Sequence, residues 1–152
     1  MLFEDLQGNR LVELIQGEEP VLIHELALKP LTHALVLARF NSRTLLVYNR
    51  FKSEWELPGG MIEKDEAPGE TALRELMEES NQTLLEISFR GLLKLFLMPN
   101  RRTEFGALYS GKVANLRPFE ENSESVGMVW WDGIEEIGNI SGIDRWLALN
   151  IV

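Results

Sequence analysis

The alternation of apolar and polar positions along this chain predicts a series of strands interrupted by one long helix. Leu11-Val12-Glu13-Leu14-Ile15 and Val21-Leu22-Ile23-His24-Glu25-Leu26 read as two short strands, separated by the turn-prone Gln16-Gly17-Glu18-Glu19-Pro20. From Thr32 to Phe40 the chain is apolar except at His33 and Arg39, the pattern of a central strand buried on both faces. Asn41-Ser42 then turns into Arg43–Tyr48 as a hairpin partner, and a loop from Asn49 to Glu54 leads into Trp55-Glu56-Leu57-Pro58-Gly59-Gly60. Leu84–Met98 and Glu104–Ala114 read as two long strands joined by Pro99-Asn100-Arg101-Arg102. Val126–Trp131 is a further strand, and Ile143–Leu149 a closing helix. The long helix is Ala67–Ser80, with Pro68 in its first turn and Glu66 and Glu70 near the positive end of its dipole. Strands surrounding one central helix make a mixed α/β pattern, closer to a helix sandwiched between sheets than to a doubly wound sheet.

On a wheel of about 100° per residue, Leu73, Leu76 and Met77 fall on one arc of this helix and are its expected core face. Glu75, Glu78 and Glu79 stand at i, i+3 and i+4 and share the opposite arc. Like charges at these offsets repel by a few tenths of a kcal/mol per pair, and a helix built only for solubility would interleave lysine. Only Arg74 is basic nearby. A hard divalent cation such as Mg²⁺ or Mn²⁺ would turn this repulsion into coordination. Acid-rich helices are common, however, so the spacing alone does not make a metal site.

Composition narrows the setting. With 45% hydrophobic and 26% charged residues, 152 residues suit one globular domain with a proper core. No apolar run approaches the ~18 residues of a membrane span. The N-terminal Met1-Leu2-Phe3-Glu4-Asp5-Leu6 carries acids where a secretory signal would carry bases. The chain has no cysteine, which excludes disulfides, thiolate metal sites and cysteine nucleophiles. These features lead us to expect a cytoplasmic protein. Its net charge of −9 repels nucleic-acid backbones, so neither a nucleic-acid polymer nor a membrane is an expected partner. A small anionic substrate remains compatible, because a divalent metal reverses the local field.

The residues upstream of the helix decide between these readings. Gly60, five residues, Glu66, seven residues, then Arg74-Glu75-Leu76-Met77-Glu78-Glu79 resembles the Nudix box at every charged position. Trp55–Gly60 is similar to the segment that leads into that box. The box spans about 23 residues, Gly60 to Gln82. The strand order on either side is compatible with the Nudix αβα sandwich over residues 1–152. Three positions depart from the pattern. Asp65 stands where many members have glycine, and Asn81 and Gln82 replace a glycine and an aliphatic residue. Asn81 can still end the helix in a left-handed conformation, and Leu84 is a candidate for the missing apolar contact.

The resemblance implies metal-dependent attack of water on a nucleoside-diphosphate linkage, with Mg²⁺ or Mn²⁺ as cofactor. By the same resemblance Glu78 and Glu79 are the main metal ligands, and Glu75 and the Gly59 carbonyl complete the site. Arg74 and Glu66 pair and orient the glutamates, Gly60 is structural, and either Glu75 or a carboxylate outside the box accepts the proton from water. The loop Pro118–Glu124 before Trp130-Trp131 offers Glu124 first and Glu121 second for that role. Arg50, Phe51 and Trp55, with Tyr48, are candidates for substrate contact, as are Phe96, Arg101 and Arg102 from the other side. His24 and His33 are too far apart and too strand-embedded to pair as ligands.

The short length resembles members that convert (d)NTPs or oxidised (d)NTPs to monophosphates. Pro99 and Glu104 instead lie near positions occupied in ADP-ribose pyrophosphatases, which makes ADP-ribose or a nucleotide sugar the alternative. A catalytically silent sensor or interaction domain is the reading from another class, and such domains usually lose box glutamates. The chain is expected to act as a monomer or homodimer.

Overall fold

In a computed structural model the protein is described over residues 1–25 and 29–152. Its elements run β1 (Phe3–Glu4), β2 (Arg10–Ile15), α1 (Glu19–Glu25), β3 (Leu31–Phe40), β4 (Arg43–Asn49), β5 (Glu54–Glu56) and β6 (Gly59–Met61). They continue with α2 (Pro68–Ser80), β7 (Ser88–Leu97), β8 (Arg102–Lys112), β9 (Ser125–Trp131) and α3 (Gly142–Asn150).

Among the described residues, nine strands join one mixed sheet in the order β1-β2-β7-β8-β3-β4-β5, with β6 on β3 and β9 on β4. β3 is the hub. It runs parallel to β8 from Leu31 to Arg39, while its other edge is shared between β6 and the start of β4. Successive side chains of a strand point to opposite faces, and β3 feeds two cores accordingly. Ala34, Val36 and Ala38 face a cluster with Ala72 and Leu76 of α2, against which Leu22 and Ile23 of α1 also pack. Leu37 faces the other, with Leu46, Leu93, Leu108 and the α3 residues Ile143 and Leu147. The result is a mixed α+β sandwich whose middle layer is the sheet rather than the helix.

Two expectations need correcting. The segment read as a strand from Val21 is helical: α1 begins at Glu19, with Pro20 in its first turn. Leu26, the end of that reading, lies outside the described residues. The core face of α2 is also displaced. Leu76 is fully buried, but Leu73 is 37% exposed and Met77 only half-buried, whereas Ala72, Ser80 and Glu79 lie inside. The helix is rolled toward its acidic side, which brings Glu79 under the sheet.

Candidate active site

The box helix is fixed at both ends. The Glu70 carboxylate accepts the Ala67 N–H (3.0 Å) at its start, and at its end Asn81 adopts a left-handed conformation (φ 61°) and donates its N–H to the Met77 carbonyl (2.9 Å). Gln82 is fully buried and needs no apolar substitute, although Leu84 is buried nearby. Its side-chain amide donates to the Arg117 carbonyl (2.6 Å) and accepts from the Arg117 N–H (3.1 Å). Asn81 donates to the Pro118 carbonyl (2.8 Å), and Asn122 donates to the Glu78 carbonyl (3.0 Å). The two departures at the box terminus therefore fasten the loop that carries Glu124 onto the helix end.

Arg74 organises the exposed side of the helix. Its Nε and Nη2 hold both oxygens of Glu66 (2.7 and 3.0 Å), and Nη1 reaches Glu75 (2.9 Å) and Glu78 (3.3 Å). Nη2 also donates to the Met61 carbonyl at 3.1 Å. This guanidinium, together with the Thr71 hydroxyl, holds the Glu66 carboxyl down to about 2. Gly59 and Gly60 permit the close approach of the preceding strand. The Gly59 N–H donates to Glu79 at 2.9 Å, and a Cβ on Gly60 would lie 2.4 Å from Glu75 Oε1.

One group of carboxylates converges. Ligand oxygens of Glu56, Glu79 and Glu124 all lie within 4.8 Å of one another. They come from β5, α2 and the loop before β9. Asn49 Nδ2 steers two of them, donating to Glu56 at 2.9 Å and to Glu124 at 3.4 Å. Burial, opposed by the Gly59 N–H and reinforced by the surrounding carboxylates, pushes Glu79 up to about 9. Burial likewise raises Glu56, with Asn49 opposing, and Glu75, with Arg74 opposing. The donor set fits a hard divalent cation: it is all oxygen, and it converges from three separate segments.

Among the residues expected at the site, Glu79 and Glu124 join this group, while Glu75 and Glu78 stand beside it in the grip of Arg74. Glu121 is turned away and pairs with Arg50 (3.2 Å). Arg50, Phe51 and Trp55 do not line the cleft of about 740 Å³ beside the carboxylates. Phe51 is 76% exposed, and Trp55 packs edge-on against Tyr48 and donates its indole N–H to the Ile137 carbonyl. The cleft wall instead includes Lys52, Glu56, Glu124, His33 and Asp144 among its polar positions, and Leu35, Leu95 and Gly106 among its apolar ones. Reading the sequence missed Glu56 and Lys52 and set His33 aside. The available signal was the period-two run Glu54-Trp55-Glu56-Leu57, which puts Trp55 and Leu57 on one face and the two acids on the other.

The two glycines give a contrasting pair of predictions. Gly60→Ala pushes only the end of the Glu75 side chain, so the protein should fold while the Mg²⁺ concentration needed for half-maximal activity rises several-fold. A Cβ on Gly59 would sit 2.5 Å from the Ala34 backbone oxygen and 2.4 Å from a Leu35 methyl. Gly59→Ala should therefore destabilise the fold by about 1–3 kcal/mol. Thermal melts and metal titrations of both variants check this; equal melting temperatures would refute the distinction.

The comparisons agree with this architecture. Human nucleoside diphosphate-linked moiety X motif 6 is 30% identical over 82 residues, which are 52% of this chain and 25% of that protein. The match to this curated relative thus spans a quarter of its length. A mutant form of the Bacillus subtilis pyrophosphohydrolase BsRppH superposes with a TM-score of 0.72 at 23% identity, over 97% of this chain and 92% of that one. A MutT Nudix hydrolase from Burkholderia pseudomallei gives 0.70 at 16% identity, over 82% and 99%. Residues 29–147, which carry the hub strand, the box helix and all three converging carboxylates, match the NUDIX domain family, and the chain belongs to it.

Proposed function

We propose that this protein is a divalent-metal-dependent hydrolase that converts a (d)NTP or oxidised (d)NTP to the monophosphate and pyrophosphate. The observation that carries this reading is the convergence of Glu56, Glu79 and Glu124 from three separate segments, with Glu56 and Glu124 lining a cleft. Glu56, Glu79 and Glu124 would hold Mg²⁺ or Mn²⁺, with Glu75 and Glu78 within the same helical turn as further ligands. The cation, when bound, supplies charge neutralisation at the diphosphate and lowers the pKa of the attacking water.

The chain's own groups do the rest. Glu124 is the exposed member of the group and is our candidate to accept the proton from water. Arg74 and Glu66 keep Glu75 and Glu78 oriented. Lys52, whose ammonium stands 3.8 Å from Glu56 on the cleft wall, offers a positive charge to the phosphates. Glu104, which with Pro99 pointed toward ADP-ribose, is 7% exposed and already accepts from Arg102 (2.8 Å) and Thr32 (3.3 Å). The triphosphate reading is therefore the one proposed. Among the described residues no helix is long and apolar enough to cross a membrane, and we place the enzyme in the cytoplasm acting on free nucleotides.

The test is a panel of dGTP, 8-oxo-dGTP and ADP-ribose with Mg²⁺, scored for pyrophosphate and phosphate from the triphosphates and for AMP and ribose 5-phosphate from ADP-ribose. Pyrophosphate from a triphosphate is expected. Nucleotide binding without turnover of any compound would instead mark a silent Nudix fold. The same assay locates the rest of the substrate. A Cβ on Gly106 meets nothing nearer than 3.7 Å, so Gly106→Ala should fold, yet it narrows the cleft. KM should rise several-fold with kcat within about twofold; an unchanged KM would remove that end of the cleft from the substrate's path.

A further inference from the structure

β5 is a three-residue strand at the end of the sheet order, and its backbone carries one of the three converging carboxylates. On one side it pairs with β4, Glu56 opposite Val47. Its other side is closed by a distant part of the chain. The Trp55 N–H donates to the Asn139 carbonyl (2.8 Å), and the Ser141 N–H donates to the Trp55 carbonyl (2.8 Å), making a parallel bridge between Trp55 and Ile140. The Trp55 indole adds a bond to the Ile137 carbonyl at 2.9 Å. Beyond Glu56, the Leu57 N–H donates to the carboxylate of Asp144, in the first turn of α3, also at 2.9 Å.

Both neighbours of Glu56 are thus tied to residues 137–144. Trp55 and Leu57 send their side chains into the core shared with Ile143 and Leu147, and strand alternation then turns Glu56 the opposite way, toward Glu79 and Glu124. We propose that residues 137–144 act as a strap that holds Glu56 in register with the other two carboxylates, with Asp144 as a positioning residue for the metal site. This rests on the metal-binding reading above. Asn49 Nδ2 holds the Glu56 carboxylate itself (2.9 Å), and the strap fixes the backbone that carries it.

The test reads Mn²⁺ binding to the nucleotide-free protein by electron paramagnetic resonance, alongside kcat and KM. Asp144→Ala removes the acceptor of the Leu57 N–H and should weaken Mn²⁺ binding about tenfold, lowering kcat while nucleotide KM moves less than about twofold. Asp144→Asn keeps an acceptor oxygen and should restore binding to within about threefold. Trp55→Phe removes the indole bond to Ile137 together with part of the ring's packing, should give a smaller loss in the same direction, and keeps the idea testable if Asp144→Ala does not fold. Lower melting temperatures in Asp144→Ala and Trp55→Phe with unchanged Mn²⁺ affinity would overturn the strap and leave the metal reading standing. A rise in KM with unchanged Mn²⁺ affinity would make Asp144 a substrate contact and overturn the strap likewise. Failure of the unaltered protein to bind Mn²⁺ would overturn the metal reading, and the strap with it.

Discussion

Glu79→Gln is expected to weaken metal-dependent hydrolysis severely and, at the same time, to make the metal-free protein harder to unfold. Glu79 is 3% exposed, and burial, then Glu75, Glu56 and Glu124, lift its carboxyl from an ordinary 4.5 to about 9. The folded state therefore binds a proton more tightly than the unfolded chain does. Between about 4.5 and about 9 the folded protein holds more protons, so stability falls as pH rises across that window, by at most about 1.4 kcal/mol per unit. The titration belongs to the carboxylate group as a whole, so the measured slope is shared among its members. Glutamine still accepts the Gly59 N–H but carries no charge to bury.

In EDTA at pH 8, Glu79→Gln should melt above the unaltered protein, and its stability should vary less with pH. Added Mn²⁺ at a hundred times its dissociation constant should stabilise only the unaltered protein, by about 2.7 kcal/mol. Activity should fall on the order of 10³-fold, equivalent to about 4 kcal/mol of barrier. A variant that melts lower than the parent in EDTA would sink the argument, because it would mean the Glu79 charge is compensated without a cation.

Arg74→Lys should be nearly as damaging as Arg74→Ala, with a loss of roughly 10–100-fold in activity and metal affinity. The guanidinium spans both oxygens of Glu66, one each of Glu75 and Glu78, and the Met61 carbonyl. An ammonium preserves the charge but cannot span this set, because its three donors radiate from one atom rather than forming a planar fork. If charge alone mattered, lysine would rescue most of the activity; metal titrations of kcat for the two variants decide between charge and geometry.

Much of the scaffold was legible because long periodic segments dominate it. The hub strand and the box helix follow directly from their apolar spacing, and the fixed offsets of Gly60, Glu66 and Arg74 point to the family. What misled was short or was inverted by function. Val21–Ile23 is an apolar run too brief to separate strand from helix, and Glu19-Pro20 was the better guide, as an acid and a proline opening a helix. The wheel of α2 put Glu75, Glu78 and Glu79 on the arc opposite the core face of Leu73, Leu76 and Met77, and burying a carboxylate is normally unfavourable. Glu79 breaks that rule at a site built to receive a cation. Asp144 could not have been found at all: its partner Leu57 lies 87 positions away, and no local pattern encodes that contact.

The anchoring of the Glu124 loop bears on how this protein can be altered. Through Asn81 and Gln82 the loop is bonded to the helix terminus at Arg117 and Pro118, and Asn122 returns a bond to the helix backbone. Loop and helix end are therefore one interchangeable part, not two. A loop transplanted from a protein whose helix ends in glycine and an aliphatic residue would arrive without its moorings, and exchanges of substrate preference by loop grafting should carry residues 81–82 along with the graft.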